Sequence, residues 1–250
     1  MFLNFSIYFF ILSRFIKDEF FIYHMKIAVL FSGGKDSTLA LYKAMRFHKV
    51  SCLVSLISKN KESYMFHTPN IELTKVQAQA IGLPLIQKIT EGKKENELKD
   101  LKKALIIAKE KFKVKGVVSG AIRSIYQATR IQEICNNLGL WCFNPLWLKD
   151  QIELLNEIVE NNFEVIISGV FAFPLDKNLL GKVVDRGIIK KLKGLEEKYK
   201  LSPCGEGGEI ETTVVDAPFF KKRIKIVDYK IFYENYIGVF QIKDIKLIEK

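Results

Sequence analysis

The junction at residues 27–37 constrains the fold of this chain more than any other segment. Residues 27–31 form a short apolar run of the kind that makes a buried strand. A glycine-containing stretch follows at residues 32–37, and apolar residues then recur at helical spacing as far as Phe47. A buried strand that turns through glycines directly into a helix is typical of the first unit of a parallel α/β sheet.

The same stretch has the composition of an anion-binding loop. Gly33 and Gly34 have no Cβ, so backbone N–H groups can approach phosphate oxygens closely. The N-terminus of the following helix adds donors without intrahelical partners and a dipole that favours anions. The other four side chains supply two hydroxyls, a positive charge and a carboxylate suited to Mg²⁺: Ser32, Ser37, Lys35 and Asp36.

Two common nucleotide motifs are excluded at this loop. A Walker loop requires glycine five positions before Gly34, where Val29 stands, and Ser or Thr directly after Lys35, where Asp36 stands. The dinucleotide fingerprint of Rossmann enzymes is also missing from the sequence. The plainer alternative is an ordinary strand-to-helix turn in which Asp36 is only a helix cap.

Downstream, strands and helices alternate up to residue 143. Apolar runs predict strands at residues 50–57, 85–89, 116–119 and 140–143, and helical patterns fall at 73–81, 95–112 and 124–138. This alternation predicts an α/β, doubly wound parallel sheet whose ligand lies beyond the carboxyl ends of the strands.

The pattern changes at Pro145. Helices are expected at residues 151–161 and, rich in lysine, near 179–193, with a strand at 165–169. After Gly205 strands dominate, and residues 224–233 and 236–242 have the pattern of a hairpin. We therefore predict two domains, residues 25–145 and a smaller α+β domain at residues 146–250.

The first 24 residues precede the first predicted strand. Their apolar run is too short to span a bilayer and lacks the basic start and cleavage site of a signal peptide. Met25 opens the first strand, so we expect residues 1–24 to be a non-native extension. A short membrane or partner anchor is the alternative.

Composition limits the partners and the compartment. The formal net charge of +11 suits an anionic partner such as ATP, RNA or an acidic protein surface. Much of the excess is lysine scattered along helical stretches, so no stable nucleic-acid complex is expected. The four cysteines have neither Cys-x-x-Cys nor zinc-finger spacing, which disfavours a zinc site or disulfides and favours a reducing, cytoplasmic location. No membrane partner is expected, because the apolar run at the start is too short to span a bilayer.

The pattern Ser-Gly-Gly-x-Asp-Ser after the first strand resembles the PP-loop, or N-type ATP pyrophosphatase, superfamily. Members transfer the adenylyl group of ATP to a substrate oxygen, release pyrophosphate, and then let a nucleophile displace AMP. The resemblance implies a Rossmann-like fold of the adenine nucleotide alpha hydrolase type, ATP as a substrate, and Mg²⁺ bound at Asp36.

Residues 120–147 and 204–218 resemble diphthine–ammonia ligases, which amidate diphthine on translation elongation factor 2. The resemblance covers residues 25 to about 220 and thins beyond them, and Ile210 stands where that family usually has tyrosine. It implies ammonium as the nitrogen source and diphthine-bearing elongation factor 2 as the partner. A PP-loop enzyme that modifies tRNA and a non-catalytic nucleotide sensor are the alternatives.

The later stretches add further candidate site residues. Five follow a strand end, at or near the start of a helix, where they could contact phosphate, adenine or substrate: Gly120, Arg123, Tyr126, Gln127 and Arg130. The resemblance implies an adenosine contact at Met65 and His67. Three carboxylates could bind Mg²⁺, attract ammonium or accept its proton: Glu206, Glu209 and Glu211. With Lys35 and Asp36 they are the candidate catalytic residues, and solvated glutamates in a turn are the alternative for these three.

Overall fold

The structure is a computed structural model that describes residues 25–59, 70–92 and 94–250. The predicted extension at residues 1–24 and the predicted adenosine contacts at Met65 and His67 lie outside the described residues.

The first sheet is wholly parallel. Its strands are β1 (Lys26–Leu30), β2 (Lys49–Ser58), β3 (Leu85–Thr90), β4 (Gly116–Val118) and β5 (Trp141–Phe143), in the spatial order β3-β2-β1-β4-β5. Successive residues of β1 point to opposite faces, yet Ile27, Ala28 and Val29 are all fully buried. A strand covered on both faces reads as a continuous apolar run, which is why the sequence pattern identified it.

Helices cover both faces of this sheet. They are α1 (Lys35–Met45), α2 (Thr74–Ile81), α3 (Lys94–Phe112) and α4 (Ile125–Leu138), with a 3₁₀ turn at Ile71–Leu73 before α2. Buried residues of α1 and α2 belong to one core cluster, and those of α3 and α4 belong to a second cluster. The predicted doubly wound α/β sheet is therefore confirmed.

The second half forms an antiparallel sheet with two helices. Its elements are α5 (Gln151–Glu160), β6 (Glu164–Phe171), a 3₁₀ turn at Lys177–Leu179, α6 (Arg186–Tyr199), β7 (Ile210–Asp216), β8 (Lys222–Glu234) and β9 (Ile237–Glu249). The strands lie in the order β7-β6-β9-β8. A two-residue turn, Asn235-Tyr236, with positive φ at both positions joins β8 to β9.

The predicted lysine-rich helix near residues 179–193 is misplaced. Gly181 has a φ of +78°, and Val183 bridges to Ile166 of β6, so this backbone is not helical. The helix begins after Asp185, whose carboxylate accepts a hydrogen bond from the backbone N–H of Ile188 at 2.8 Å. It then continues to Tyr199. The hairpin was predicted correctly, although β9 extends seven residues beyond the predicted end, from 242 to 249.

The two sheets share a hydrophobic core. One cluster contains Ile27 and Leu39 of the first sheet unit together with Val165 and Val214 of the second. The predicted boundary at residues 145 and 146 therefore separates the parallel sheet from the antiparallel sheet, but it does not separate two hydrophobic cores. The division into two domains stays a prediction. Within the described residues, no helix combines the length and apolar character needed to cross a membrane.

Candidate active site

The loop after β1 has a conformation that only glycine fits well. Gly33 has a φ of +78°, and a Cβ added there would lie 2.0 Å from Oε1 of Gln77. The Ser37 hydroxyl closes the loop because it accepts the backbone N–H of Ser32 at 3.2 Å and lies 3.1 Å from the Ser32 hydroxyl. Gly34 is the N-cap residue of α1, so the loop leads directly into a helix N-terminus.

Strand β7 of the second sheet holds this loop in place. The Thr212 hydroxyl accepts the backbone N–H of Lys35 at 3.1 Å, and the backbone N–H of Val214 donates to the Gly33 carbonyl at 2.9 Å. The Gln77 side-chain amide donates to the carbonyls of Gly33 and Val214, at 2.9 and 2.8 Å. The loop is therefore built jointly by both sheets.

Gly120 permits a second close approach, between the loop after β4 and the start of α1. A Cβ at this position would lie 2.8 Å from the backbone nitrogen of Ser37 and 2.9 Å from the carbonyl carbon of Asp36. Both are backbone atoms, so they could not give way without moving the first turn of α1. Glycine at 120 therefore positions the β4 loop against the candidate phosphate site.

A cavity of about 740 Å³ opens between the loop, the carboxyl ends of the first sheet and β7. That volume is in the range of small-molecule and cofactor sites. Nine of the predicted site residues line it: Ser32, Gly34, Lys35, Asp36, Ser37, Gly120, Gln127, Glu206 and Glu211. Gly33, Arg123, Tyr126, Arg130 and Glu209 lie outside its lining.

Lys35 places a positive charge in the cavity wall. Its side chain is almost fully buried, and Nζ donates to Asp36 Oδ2 at 2.9 Å and to the Cys204 carbonyl at 2.5 Å. Burial alone would lower the pKa of this ammonium, but the negative charges of Asp36 and Glu211 outweigh burial and raise the pKa above its ordinary value. Lys35 therefore remains charged at neutral pH.

Glu211 lies on β7 and lines the cavity beside Lys35 and Asp36. Burial is the main reason that its pKa rises from 4.5 to about 7; Asp36 raises it further, and Lys35 opposes the rise. A carboxylate with such a pKa can both hold and release a proton near neutral pH. Of the three candidate glutamates, Glu211 is the one best suited to proton exchange.

Glu206 and Glu209 have different contacts. Glu206 lines the cavity, and its carboxylate accepts the backbone N–H of Arg123 at 2.9 Å. Burial raises the pKa of Glu206, and the hydrogen bond from Arg123 opposes that rise. The Glu209 carboxylate instead accepts the backbone N–H of Gly207 at 2.9 Å and that of Ser202 at 3.4 Å, so it closes the loop that carries Glu206.

Only some of the candidate site residues at the start of α4 line the cavity. Gln127 lines the cavity, and its backbone N–H is capped by the Ser124 hydroxyl at 3.3 Å. Arg130 pairs with Glu133 at 3.0 Å, and its guanidinium lies 5.6 Å from the centre of the Tyr126 ring. Both Arg130 and Tyr126 therefore lie outside the lining of the cavity.

Sequence reasoning did not identify Gln151 as part of the site. This buried side chain accepts the Cys204 backbone N–H at 2.9 Å and the Ser202 hydroxyl at 2.5 Å through the same Oε1 atom. It thereby fixes Cys204, the residue whose carbonyl binds Lys35, and the Ser202 hydroxyl, which accepts the Glu206 backbone N–H at 2.9 Å. Nothing in the sequence pattern marks Gln151, since it appears only as the first residue of an amphipathic helix.

The carboxylate of Asp36 is compatible with a nucleotide-bound Mg²⁺. Among the described residues, no three His, Cys, Asp or Glu side chains converge to hold a metal without other ligands. Mg²⁺ at phosphates is usually held by one or two carboxylates, with phosphate oxygens and waters as its other ligands. Asp36 at the start of α1, beside Lys35, fits that arrangement.

The fold and cavity define an α/β enzyme of the PP-loop class, with a glycine-containing anion loop at the end of β1 and carboxylates from a second sheet facing it. The family described as diphthamide synthase N-terminal domain matches residues 25–142, and the diphthamide synthase C-terminal domain matches residues 150–248. The chain belongs to the diphthamide synthase family.

Several similar proteins are named diphthine–ammonia ligase. The diphthine–ammonia ligase of Bos taurus is 36% identical over 224 residues, which cover 82% of this chain and 83% of that protein. The diphthine–ammonia ligase of Homo sapiens is 35% identical with the same coverage. That of Schizosaccharomyces pombe is 34% identical across 83% of this chain but only 37% of its own length.

A solved structure described as a predicted subunit of tRNA methyltransferase from Methanocaldococcus jannaschii aligns with 78% of this chain and 98% of its own, with a TM-score of 0.42 and 16% identity. At that similarity it carries no weight for function.

Proposed function

We propose that this chain is a diphthine–ammonia ligase that uses ATP and ammonium to amidate diphthine on translation elongation factor 2. One observation carries the proposal: the ammonium of Lys35, in the anion loop, lines the same cavity as the carboxylates of Glu206, in the loop before β7, and Glu211, on β7. Family membership and the name shared by its relatives support the same reaction.

In the first half-reaction, an oxygen of the diphthine carboxylate attacks the α-phosphorus of ATP. The bond to the bridging oxygen breaks, and pyrophosphate leaves toward the loop of residues 32–37. The Lys35 ammonium and the backbone N–H groups at the start of α1 stabilise the charge on the leaving group. Asp36 would hold Mg²⁺, which neutralises phosphate charge when it is bound.

In the second half-reaction, ammonia attacks the carbonyl carbon of the acyl adenylate and AMP leaves. The ammonium ion must lose a proton before it can attack. Glu211 is suited to accept this proton because its pKa is about 7, well above that of an ordinary glutamate. Glu206 adds a second negative group that attracts ammonium into the cavity. The net products are the amide, AMP and pyrophosphate.

We place this reaction in the cytoplasm. The four cysteines, which all lie in described segments, are free thiols, and this supports a reducing compartment.

The decisive experiment is incubation of the protein with ATP, ammonium and diphthine-bearing elongation factor 2. Mass spectrometry should detect conversion of a hydroxyl to an amino group in the side-chain acid, with AMP and pyrophosphate in equal amounts. A parallel incubation with tRNA tests the alternative that a basic PP-loop protein modifies RNA. Stoichiometric ADP and orthophosphate would contradict the proposed bond cleavage.

A further inference from the structure

The face of the second sheet that carries Glu211 continues outward from the cavity. Glu211 of β7 pairs with Gly169 of β6, Gly169 pairs with Val239 of β9, and Val239 pairs with Phe232 of β8. Directly opposed residues in an antiparallel sheet project from the same face. These four positions therefore form one row across the sheet, from a candidate catalytic carboxylate on β7 at one edge to Phe232 on β8 at the other edge.

A neighbouring row extends the same surface. Phe171 pairs with Ile237 and lies two positions after Gly169, so both project from this face. Phe171 and Val239 also line the cavity. We call the surface formed by Phe171, Phe232, Ile237 and Val239 the apolar sheet face.

The outer part of the apolar sheet face is exposed to solvent. Phe232 is 48% exposed and Ile237 is 59% exposed. Exposed apolar side chains that adjoin one another are characteristic of interaction sites rather than of ordinary surface. Because this apolar surface meets the cavity wall, whatever lies on it lies at the mouth of the cavity.

Gly169 shapes the inner end of the face. A Cβ at this position would lie 2.5 Å from the Phe171 ring and 3.2 Å from Cβ of Glu211. The absence of a side chain therefore lets the Phe171 ring lie across the row, next to Glu211. An apolar wall beside the carboxylate leads from the cavity to the exposed residues.

Positive charge adjoins the exposed end. Nζ of Lys230, on the same face of β8 two residues before Phe232, lies 4.8 Å from the centre of the Phe232 ring. Lys198 lies similarly over Tyr199, at 5.1 Å, and the Tyr199 ring contacts Phe173, two residues after Phe171. Glu234 lies directly opposite Ile237 on the same face, so the exposed end carries two lysines and one glutamate. The excess of positive charge suits an apolar segment that is flanked mainly by acidic side chains.

We propose that the apolar sheet face docks the polypeptide of the protein substrate on either side of the target side chain. This proposal rests on the proposed function, in which the reacting carboxylate belongs to a side chain of a folded protein. Such a carboxylate reaches the cavity only if the surrounding polypeptide rests on its rim. The polypeptide that lies on this face is then an apolar loop of elongation factor 2 with acidic side chains beside it.

The test compares Phe232→Ala and the double change Phe232→Ala with Ile237→Ala against Trp141→Ala. Trp141 is a matched control because it is 62% exposed but lies at the amino end of β5, outside the cavity lining. Steady-state amidation would be measured with varied elongation factor 2, ATP and ammonium. Direct binding of diphthine-bearing elongation factor 2 would be measured without ATP.

We expect Phe232→Ala to raise KM for the protein substrate about tenfold, as expected when a central aromatic contact of an interface is removed. The double variant should show a larger increase, with KM for ATP and for ammonium unchanged. The direct dissociation constant should rise in parallel, and Trp141→Ala should behave as the unchanged protein. Circular dichroism would confirm that the exposed substitutions leave the fold intact.

An unchanged KM and dissociation constant for the protein substrate in the double variant would overturn the docking proposal. Dissociation of a dimer in that variant, measured by sedimentation, would overturn it in favour of a second copy of this chain on the face. If the unchanged protein binds elongation factor 2 through this face but never amidates it, docking stands and the proposed function fails.

Discussion

The buried ammonium of Lys35 donates a hydrogen bond to the main-chain carbonyl of Cys204, 169 residues further along the chain. One partner belongs to the loop at the end of β1 and the other to the loop before β7. The lysine that faces the candidate phosphate site is therefore oriented by the half of the chain that carries the glutamates. Several measurable effects depend on this joint construction.

Asp36→Asn should reduce turnover by a factor on the order of a hundred or more, because in the proposed mechanism it removes a charge that acts on the phosphates. Asparagine keeps the size of aspartate, and the N-cap of α1 is Gly34 rather than Asp36, so the fold should survive. Turnover measured as AMP release, with varied Mg²⁺, checks this prediction. Asp185→Asn is the matched control, since Asp185 caps α6 away from the cavity. Near-normal turnover in Asp36→Asn would show that the Asp36 carboxylate has no role in turnover and that the residue only forms part of α1.

Glu211 should make stability depend on pH. The folded protein holds the Glu211 proton up to about pH 7, whereas the unfolded chain releases it near 4.5, so unfolding releases a proton between these values. The contribution of Glu211 to stability is therefore most favourable below about pH 4.5 and is lost as the pH rises through about 7.

Glu211→Gln removes this titration. We would measure the free energy of unfolding by denaturant titration. The value for the variant minus that for the unchanged protein should increase from pH 4 to pH 8. Glu234→Gln, at an exposed position on β8, is the control and should show no such trend. A difference that is constant with pH would contradict the assignment of a raised pKa to Glu211.

Glu211→Gln and Glu209→Gln should differ in their kinetics. Glu211 lines the cavity, so its loss should raise the ammonium concentration for half-maximal rate while ATP affinity is largely kept. Glu209 binds backbone N–H groups of its own loop, so its loss should lower stability without a selective effect on ammonium. The same ammonium dependence in both variants would mean that the two carboxylates act as one group.

Gly120→Ala should impair nucleotide binding, because its Cβ would displace the backbone at Ser37 and Asp36. Isothermal titration with ATP should show weaker binding, together with a lower melting temperature. Gly194→Ala is the control: nothing lies within 4 Å of a Cβ at this position of α6, and alanine favours a helix by about 1 kcal/mol over glycine. Unimpaired ATP binding in Gly120→Ala would show that the first turn of α1 can move without loss.

Gln151→Met should lower the free energy of unfolding by about 1–3 kcal/mol, because the Cys204 N–H loses its buried acceptor. It should also lower kcat more than it changes KM for ATP, since Lys35 and Glu206 are both positioned through this residue. Gln132→Met, on the exposed surface of α4, is the control, with an expected change within about 0.5 kcal/mol. Stability equal to that of the unchanged protein would exclude the positioning role.

The strand, loop and helix at residues 26–45 were predictable because their determinants are local. Apolar runs buried on both faces and glycines at a tight turn are visible in any short window of sequence. The family resemblance was equally accessible and is confirmed by the two domain matches. Gly120 was a candidate because of its position after a strand end. The structure gives the physical reason, since a Cβ at residue 120 would lie only 2.8 Å from the backbone nitrogen of Ser37.

Contacts set by tertiary structure were not predictable. Gln77, Thr212 and Gln151 act through hydrogen bonds to residues 44, 177 and 53 positions away, and such partners leave no periodic signal. The misplaced start of α6 has a similar cause, since the lysine pattern favoured helix before Asp185 while the bridge from Val183 to β6 prevented it. Glu209 looked equivalent to its neighbours until its loop contacts separated it from Glu211.

The clamp formed by Gln77 between the carbonyls of Gly33 and Val214 limits how freely the two halves of this enzyme can be exchanged. Any foreign strand brings main-chain carbonyls of its own, but the buried Gln77 amide keeps both acceptors only if that strand lies in the same position and register against the loop. Recombination near residues 143–150 should therefore yield active hybrids only when the incoming strand restores the carbonyl at 214 and the hydroxyl at 212.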